Sequence, residues 1–521
     1  MTRQKSDGRV VPEDRRKAVP TRASGGGKGA TVEEEATQQP GLPFATAEAP
    51  RRRDAGAKSR ADLSAREPAP RPKANVKERR SAPATMEAVV EHLHRAFDKV
   101  AANRGAPGPD RQTIEQVREY LDELLVELAA DLLAGQYQPG AIRRVLIPKG
   151  GGGQRGLGIP NVADRVVQEA VRAVLEPLYE PTFHESSHGF RPGRGCQTAI
   201  AAAREHLEDG YEWVVDLDLE KFFDRVNHQR LMSRLAQRVD DKRVLELIGR
   251  MLKASVVMPD GVKVATAEGV PQGGPLSPLL SNIVLDELDQ ELERRGHRFV
   301  RYADDANIYV RSEKAGHRVM ASVTRFIERR LRLKVNASKS AVARPETRHF
   351  LGYRLRPLPE GGSEVLLSER SVKRLGERIV ELTPRTWGRS LEECISSVNG
   401  YLDGWFGHFR ICTPGVQRAI GTADAHIRRR MRAIVLRHWG TKASIHARII
   451  RLGWRRPTAG KWVYGDRKST WKLSHVLNRA LGNAYFAERG LVPLLDRFHA
   501  VWIPTIVVPE QLVLPWPTMR S

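Results

Sequence analysis

Cysteine is scarce in this sequence: Cys196, Cys394 and Cys412 are the whole complement in 521 residues. They lie far apart, which excludes the paired spacing of a zinc site and an even disulfide framework, and fits a reducing cytoplasm. Long apolar runs are missing, and Met1–Val11 is polar and charged, so neither a membrane span nor export is expected. Aromatics are nearly absent from Met1–Pro83, where Gly, Pro, Ala, Glu and Arg dominate. Such a stretch buries too little surface to order itself, and 1–84 is read as a disordered basic tail. Acidic residues are in deficit overall, 62 against 86 Lys and Arg, for a net charge of +24. That balance suits a polyphosphate partner, nucleic acid first, although merely soluble basic surfaces share it. A chain of this length is expected to form several packed units.

What is present begins near Thr85, where Met86, Val89, Val90, Leu93 and Phe97 recur at helical spacing. Gly and Pro break the pattern over Asn103–Asp110, and Ile114–Leu133 resumes it. Mixed helices and short strands are expected to about Leu358. Helices are then predicted over Ser368–Leu382 and Leu391–Phe409, with a basic helical segment over Ala425–Arg451. No internal repeat is visible.

Two acidic elements carry the chemistry. Phe299–Val310 is a pair of apolar strand-like runs joined by Asp304 and Asp305, the pattern of a hairpin with acids at its tip. Trp213–Asp224 is a strand that delivers Asp216, Asp218 and Asp224 into a following aromatic helix. Between them lies Gly269–Asn282, a Gly and Pro loop opening into a helix, which lets backbone approach a base or phosphate closely. An isolated Asp-Asp is ordinary turn chemistry. In this company, carboxylates from separate strands suit two magnesium ions roughly 4 Å apart, the arrangement that nucleotidyl transfer needs.

At these residues the sequence resembles the reverse transcriptases encoded inside bacterial group II introns. The Tyr302-Ala303-Asp304-Asp305 box is similar to the family signature, and further blocks match in order. Asn103–Asp110 resembles the N-terminal block, Arg143–Lys149 the basic fingers strand and Ser187–Gly195 the next fingers motif. Leu331–Lys339 and Phe350–Tyr353 resemble the last palm blocks, and Asn399–Phe409 the thumb or maturase region, a match continuing through Trp471 and Gly490-Leu491. The likeness covers roughly residues 85–495.

The resemblance implies that Asp218, Asp304 and Asp305 are the catalytic carboxylates, and that with Leu219 they hold two Mg2+ ions. Asp216 and Asp224 are runners-up, Asp216 offset by one strand repeat and Asp224 read as a helix-start carboxylate. Phe223 resembles the aromatic gate that clashes with a ribose 2′-hydroxyl, with a plain core Phe as the alternative. Gln272 resembles the residue that contacts template and nucleotide, and Lys339 the palm lysine given an acid role toward pyrophosphate. Arg143, Lys149 and Arg155 would hold triphosphate or template phosphate, or else be solvated charges. Arg428, Arg429, Arg430 and Arg432 crowd one segment that would grip intron RNA, or would simply be a solvated basic helix.

The fold implied is α+β, a right-hand polymerase. Its fingers and N-terminal extension span 85–213, an antiparallel palm 214–358, a helical thumb 359–425 and a basic maturase part 426–521. The activity implied is RNA-templated deoxynucleotide addition together with binding of the parent intron RNA to help it splice and move. Its partners would be that RNA, an RNA template, a DNA primer or target and dNTPs, with no membrane. Past Gly490-Leu491 no histidine and cysteine cluster like the family's DNA endonuclease is seen, so the shorter subgroup without it is the nearer likeness. Two other readings share the motifs: a splicing-only maturase, and a domesticated enzyme of phage defence, CRISPR adaptation or DNA repair.

Overall fold

The first described helix starts where the spacing predicts, with Thr85 at its head. Its hydroxyl accepts from the Ala88 amide at 3.3 Å and starts helix Met86–Glu91. Helix Leu93–Ala102 follows and buries Leu93, Ala96, Phe97 and Val100. The structure, a computed structural model, describes residues 83–148, 153–386, 388–465 and 474–502, all inside one compact unit. The tail over 1–84 lies almost wholly outside the described residues, as do Lys149 and Trp471.

The described strands, in chain order, are β1 (Ile142–Pro148), β2 (Gln154–Ile159), β3 (Trp213–Leu217), β4 (Val256–Val257) and β5 (Lys263–Val264). After them come β6 (Arg298–Tyr302), β7 (Asp305–Val310), β8 (Ala341–Ala343), β9 (Tyr353–Pro357) and β10 (Ser363–Leu367). The central sheet has the order β6-β7-β3-β8 and every neighbouring pair is antiparallel. A second sheet, β2-β1-β4-β5, has an antiparallel β1–β2 hairpin with β4 running parallel to β1. Residues 256–264, which fall within the span expected for the palm, therefore return to the sheet built by the basic fingers strand. β9 and β10 form a separate hairpin.

Side-chain alternation sorts the central sheet into two faces. Val215, Leu217, Phe299, Ala306, Ile308 and Val310 join a core shared with helices Val162–Tyr179, His228–Leu235, Lys242–Leu252 and Ser277–Arg294. Val214, Val300 and Tyr309 point the other way, into a core shared with helix Cys196–Glu208, the β9–β10 hairpin and the C-terminal helices. By the same alternation, Asp216, Asp218 and Asp305 belong to this second face.

Beyond the sheets, Ser368 and Ser390 accept from Ser371 and Glu393 amides and start helices Glu369–Leu382 and Leu391–Phe409. The basic segment expected over 425–451 is two helices, Gln417–Trp439 and Lys442–Arg451, interrupted at Gly440 with φ of +71°. The aromatic helix expected after Asp218 is not formed. Phe222–Asp224 makes a single 3-10 turn, and the next helix starts at His228, where Asn227 accepts from the Arg230 amide. Asp224 is therefore not a helix-start carboxylate. Its carboxylate instead faces Arg144 at 3.4 Å.

Candidate active site

The central sheet sets the register of the acids. Asp216 pairs with Asn307 and Leu217 with Ala306, so the next step along β3 brings Asp218 level with Asp305. The β6–β7 hairpin closes with Tyr302 opposite Asp305, leaving Ala303 and Asp304 in the turn. Beyond β3 the chain keeps pairing: Leu219 bridges Val335, the Asn336 amide donates to the Asp218 carbonyl at 2.8 Å, and Ser340 Oγ accepts from the Asp218 amide at 3.0 Å. The segment that carries Lys339 is thereby laid alongside Asp218, and Lys339 Nζ comes within 3.6 Å of Asp218 Oδ2. Leu219 is buried, so its backbone carbonyl is the oxygen that it could offer a cation.

Electrostatics mark the same place. Burial, then the charges of Asp304, Asp216 and Asp218, push the Asp305 carboxyl up to about 7, with Lys339 opposing. Asp305 nevertheless sits at an exposed position, so water screens part of that repulsion. Asp304 is also raised, by burial first and by Asp218, while Arg155 and Arg301 pull it back. Three carboxylates crowded together, with Lys339 alone in ion-pair reach of one of them, fit a divalent cation in chemistry. They do not close into a ready-made three-ligand cluster among the described residues.

Asp216 is a different case. Arg348 donates to its Oδ2 from Nε and a terminal nitrogen, at 2.8 and 2.6 Å, and also to the Lys339 carbonyl at 2.7 Å. One guanidinium thus neutralises Asp216 and pins the backbone of Lys339. Burial still raises the Asp216 carboxyl, and Arg348 lowers it.

The loop predicted to approach the site packs under it. Gly269, with φ of +95°, has the carbonyls of Phe223 and Asp224 about where a side chain would stand, and the Val270 amide donates to the Phe223 carbonyl at 2.6 Å. Phe223 is half-buried at the rim of the first core, edge-on to Phe222. Gln272 accepts from the Gly158 amide at 2.7 Å through its carbonyl, which docks the loop on β2. Arg155 on that strand is exposed, and its charge reaches Asp304.

Other expected residues go elsewhere. Arg143 donates a terminal nitrogen to the Pro107 carbonyl at 2.6 Å, which ties it to the Asn103–Asp110 loop. Lys149 lies outside the described residues. The four arginines do not stand free together, although Arg428, Arg429 and Arg432 lie at i, i+1 and i+4 on neighbouring faces of one helix. Arg432 is buried, donates to the Leu481 carbonyl at 2.9 Å and lies over the Phe486 ring. Arg430 donates to Thr383 Oγ1 at 2.9 Å and to the Val380 carbonyl at 3.2 Å. Arg428 is half-buried and Arg429 exposed.

Sequence reading missed Arg348 and the buried pair Arg301 and Asp289. A signal existed for the pair: an arginine inside an apolar strand, and an aspartate on the Leu285, Leu288, Leu292 stripe of a helix.

Comparison with known proteins agrees with this geometry. Residues 147–355 match the family described as Reverse transcriptase (RNA-dependent DNA polymerase), and residues 372–454 match the Group II intron, maturase-specific domain. Protein YkfC of Escherichia coli (strain K12) is 35% identical over 306 residues, 51% of this chain and 80% of YkfC. The chain belongs to the group II intron reverse transcriptase and maturase family. Within it, the Group II intron-encoded protein LtrA of Lactococcus lactis subsp. cremoris is 36% identical over 197 residues, 37% of this chain. That alignment spans 32% of LtrA, so the match is to about a third of that relative's length. Among solved structures, a partial Cas6-RT-Cas1--Cas2 complex aligns with 47% of this chain and 42% of its own at 26% identity and a TM-score of 0.31. No described helix is long and apolar enough to cross a membrane.

Proposed function

We propose that the chain extends a DNA primer on an RNA template at Asp218, Asp304 and Asp305, and binds its parent group II intron RNA to assist splicing and mobility. The observation that carries this reading is the β3–β7 register, which sets Asp218 level with Asp305 beside the turn of Asp304. These carboxylates and the Leu219 carbonyl would hold two Mg2+ ions. When bound, such ions activate the primer 3′-hydroxyl and stabilise the leaving pyrophosphate.

The chain's own side chains supply the rest. Arg155 meets the triphosphate, with Lys149 assigned the same task by resemblance. Phe223 presents its ring where a ribose 2′-hydroxyl would stand and so favours deoxynucleotides. Gln272, fixed through its carbonyl to β2, faces the template and nucleotide at the insertion site. Lys339, steadied by Arg348, passes a proton to the departing pyrophosphate. Arg429 and Arg428 form the part of the arginine segment left to meet intron RNA phosphates. Cys196, Cys394 and Cys412 are all free thiols, which favours the cytoplasm as the place of action.

Primer extension on poly(rA) with oligo(dT) tests the reading. Asp304→Asn and Asp218→Asn should each reduce extension by at least about a thousandfold while RNA affinity stays near wild type, because neutral amides bind a hard cation poorly. Extension at wild-type rates by either variant would refute the site. Wild-type protein that helps the intron splice but extends no primer would leave a splicing-only maturase.

A further inference from the structure

The turn that carries Asp304 is held from behind by one buried side chain. Arg301 is 1% exposed and belongs to the sheet face opposite the acids, against helix Ser277–Arg294. All five of its N–H donors are engaged. Nε and a terminal nitrogen grip the two oxygens of Asp289, itself 0% exposed. The remaining donors reach Ser187 Oγ at 2.7 Å, Asn282 Oδ1 at 3.1 Å and the Ala303 carbonyl at 2.9 Å. A single planar guanidinium thus ties a helix, the 184–191 segment and the Asp304 turn to one another.

The backbone of the 184–191 segment braces the turn as well. A side chain at Gly189 would come within 2.3 Å of the Ala303 amide nitrogen, and the Gly189 carbonyl accepts from Asn282 Nδ2 at 2.9 Å. The His188 amide donates to the Arg301 carbonyl, and the Arg301 amide to the Ser186 carbonyl, both at 2.8 Å. Between these two walls Ala303 is held at φ of +55°, a left-handed conformation that an L side chain keeps only where its surroundings over-determine it.

We propose that Arg301 is a positioning residue for the polymerase reaction: by holding the Ala303 carbonyl against Asp289, Asn282 and Ser187, it sets the direction of the Asp304 carboxylate toward the cation site. The inference rests on the polymerase reading of the palm. An ion pair that served stability alone would need Asp289 and nothing more, and an apolar pair of similar volume would replace it without loss. Here three of the five donors go to other partners, among them the residue immediately before Asp304. Placement of a metal-binding carboxylate tolerates only a fraction of an ångström, so a loosened turn is felt first at the cation.

The test uses the full chain bound to RNA template and DNA primer, with Mn2+ alone as the probe, its binding read by electron paramagnetic resonance without dNTP. Two variants are compared: Arg301→Met combined with Asp289→Leu, which removes the charge pair but keeps the volume, and Arg301→Lys, which keeps the charge but loses the planar fork. Mn2+ affinity should fall about tenfold and kcat for extension about a hundredfold, while KM for dTTP and template affinity move less than about threefold. Melting temperature should fall in the paired variant, because Ser187 Oγ, Asn282 Oδ1 and the Ala303 carbonyl lose a donor, so the readings are taken well below it. Arg301→Lys should fall between it and the wild type, and it decides the matter by the same readings if the paired variant does not fold. A folded variant that binds Mn2+ and extends primer like the wild type would overturn the proposal. Wild-type protein that binds Mn2+ yet extends nothing would sink the polymerase reading, and the Mn2+ affinities would still judge the clamp.

Discussion

At the palm tip, Asp218 stands level with Asp305 beside the turn of Asp304, and burial first, then the neighbouring carboxylates, raise the Asp305 carboxyl. In helix Gln417–Trp439 charge is handled the opposite way. Asp424 is buried and accepts from the Leu494 and Leu495 amides at 2.9 and 3.0 Å, which satisfies the start of helix Leu494–Trp502. Arg432 and Arg430 likewise brace carbonyls of neighbouring segments. Like charges crowded at a surface with a single lysine against them mark a place that awaits a ligand, whereas charges consumed by backbone partners are struts. A run of arginines in sequence carries no such distinction.

The largest effect expected from this contrast is on stability. Arg432→Ala removes a buried side chain, orphans the Leu481 carbonyl and leaves a void beside Phe486, for a loss of about 2–4 kcal/mol. Denaturant unfolding of the full chain measures it. A loss below about 0.5 kcal/mol, the range of ordinary surface substitutions, would show that Arg432 is no strut.

The two regions were not equally legible in the sequence. Phe299–Val310 announced its hairpin because two apolar runs flank adjacent acids, and Thr85, Ser368 and Ser390 stand where helices start. The partnership of Asp216 with Arg348 was hidden, since 132 residues separate them and only pairing of the strands joins them. Arg301 stood in the quoted motif, yet its partner Asp289 lies on the preceding helix, and no spacing rule links a strand to a helix face. Asp224 misled because a carboxylate after aromatics reads like a helix start, whereas the chain needs a 3-10 turn there to reach Gly269. The arginine segment misled because residue type does not tell a phosphate ligand from a strut: Arg430 and Arg432 are spent on carbonyls of neighbouring segments far away in sequence.

A smaller effect is expected at the palm tip, in the pH dependence of stability without divalent cation. Burial first, then the neighbouring carboxylates, push the folded Asp305 carboxyl up to about 7, above its value of about 3.9 in an unfolded chain, and water at this exposed position screens part of that rise. Between those values the folded state holds a proton that the unfolded state has released, so stability falls as pH rises through this window and levels off above it. A bound cation favours the ionised form and flattens the trend. Melting curves in chelator at roughly pH 5 and pH 8 should differ by about 2–4 °C more in the wild type than in Asp305→Asn, and excess Mg2+ should shrink the difference. An Asp305→Asn protein with the full wild-type slope would place the titrating group elsewhere.

The smallest effect is expected at Arg428 and Arg429, and it tests whether this arginine segment faces a ligand. Arg429 is exposed and Arg428 half-buried, so replacing both by Gln keeps good helix formers and should change stability by less than about 0.5 kcal/mol. If they meet RNA phosphates, each lost contact lowers the slope of log affinity against log salt by roughly 0.7 on single strands. The measurement is a salt series of binding curves for the parent intron RNA and for an unrelated RNA of equal length. A shaped site loses more affinity for the intron than for the control, because charge removal alone weakens both alike. Extension on a generic primed template should persist, since the acids and Phe223 are untouched. An unchanged salt slope would remove Arg428 and Arg429 from the RNA surface, and the arginine segment would then be strut throughout.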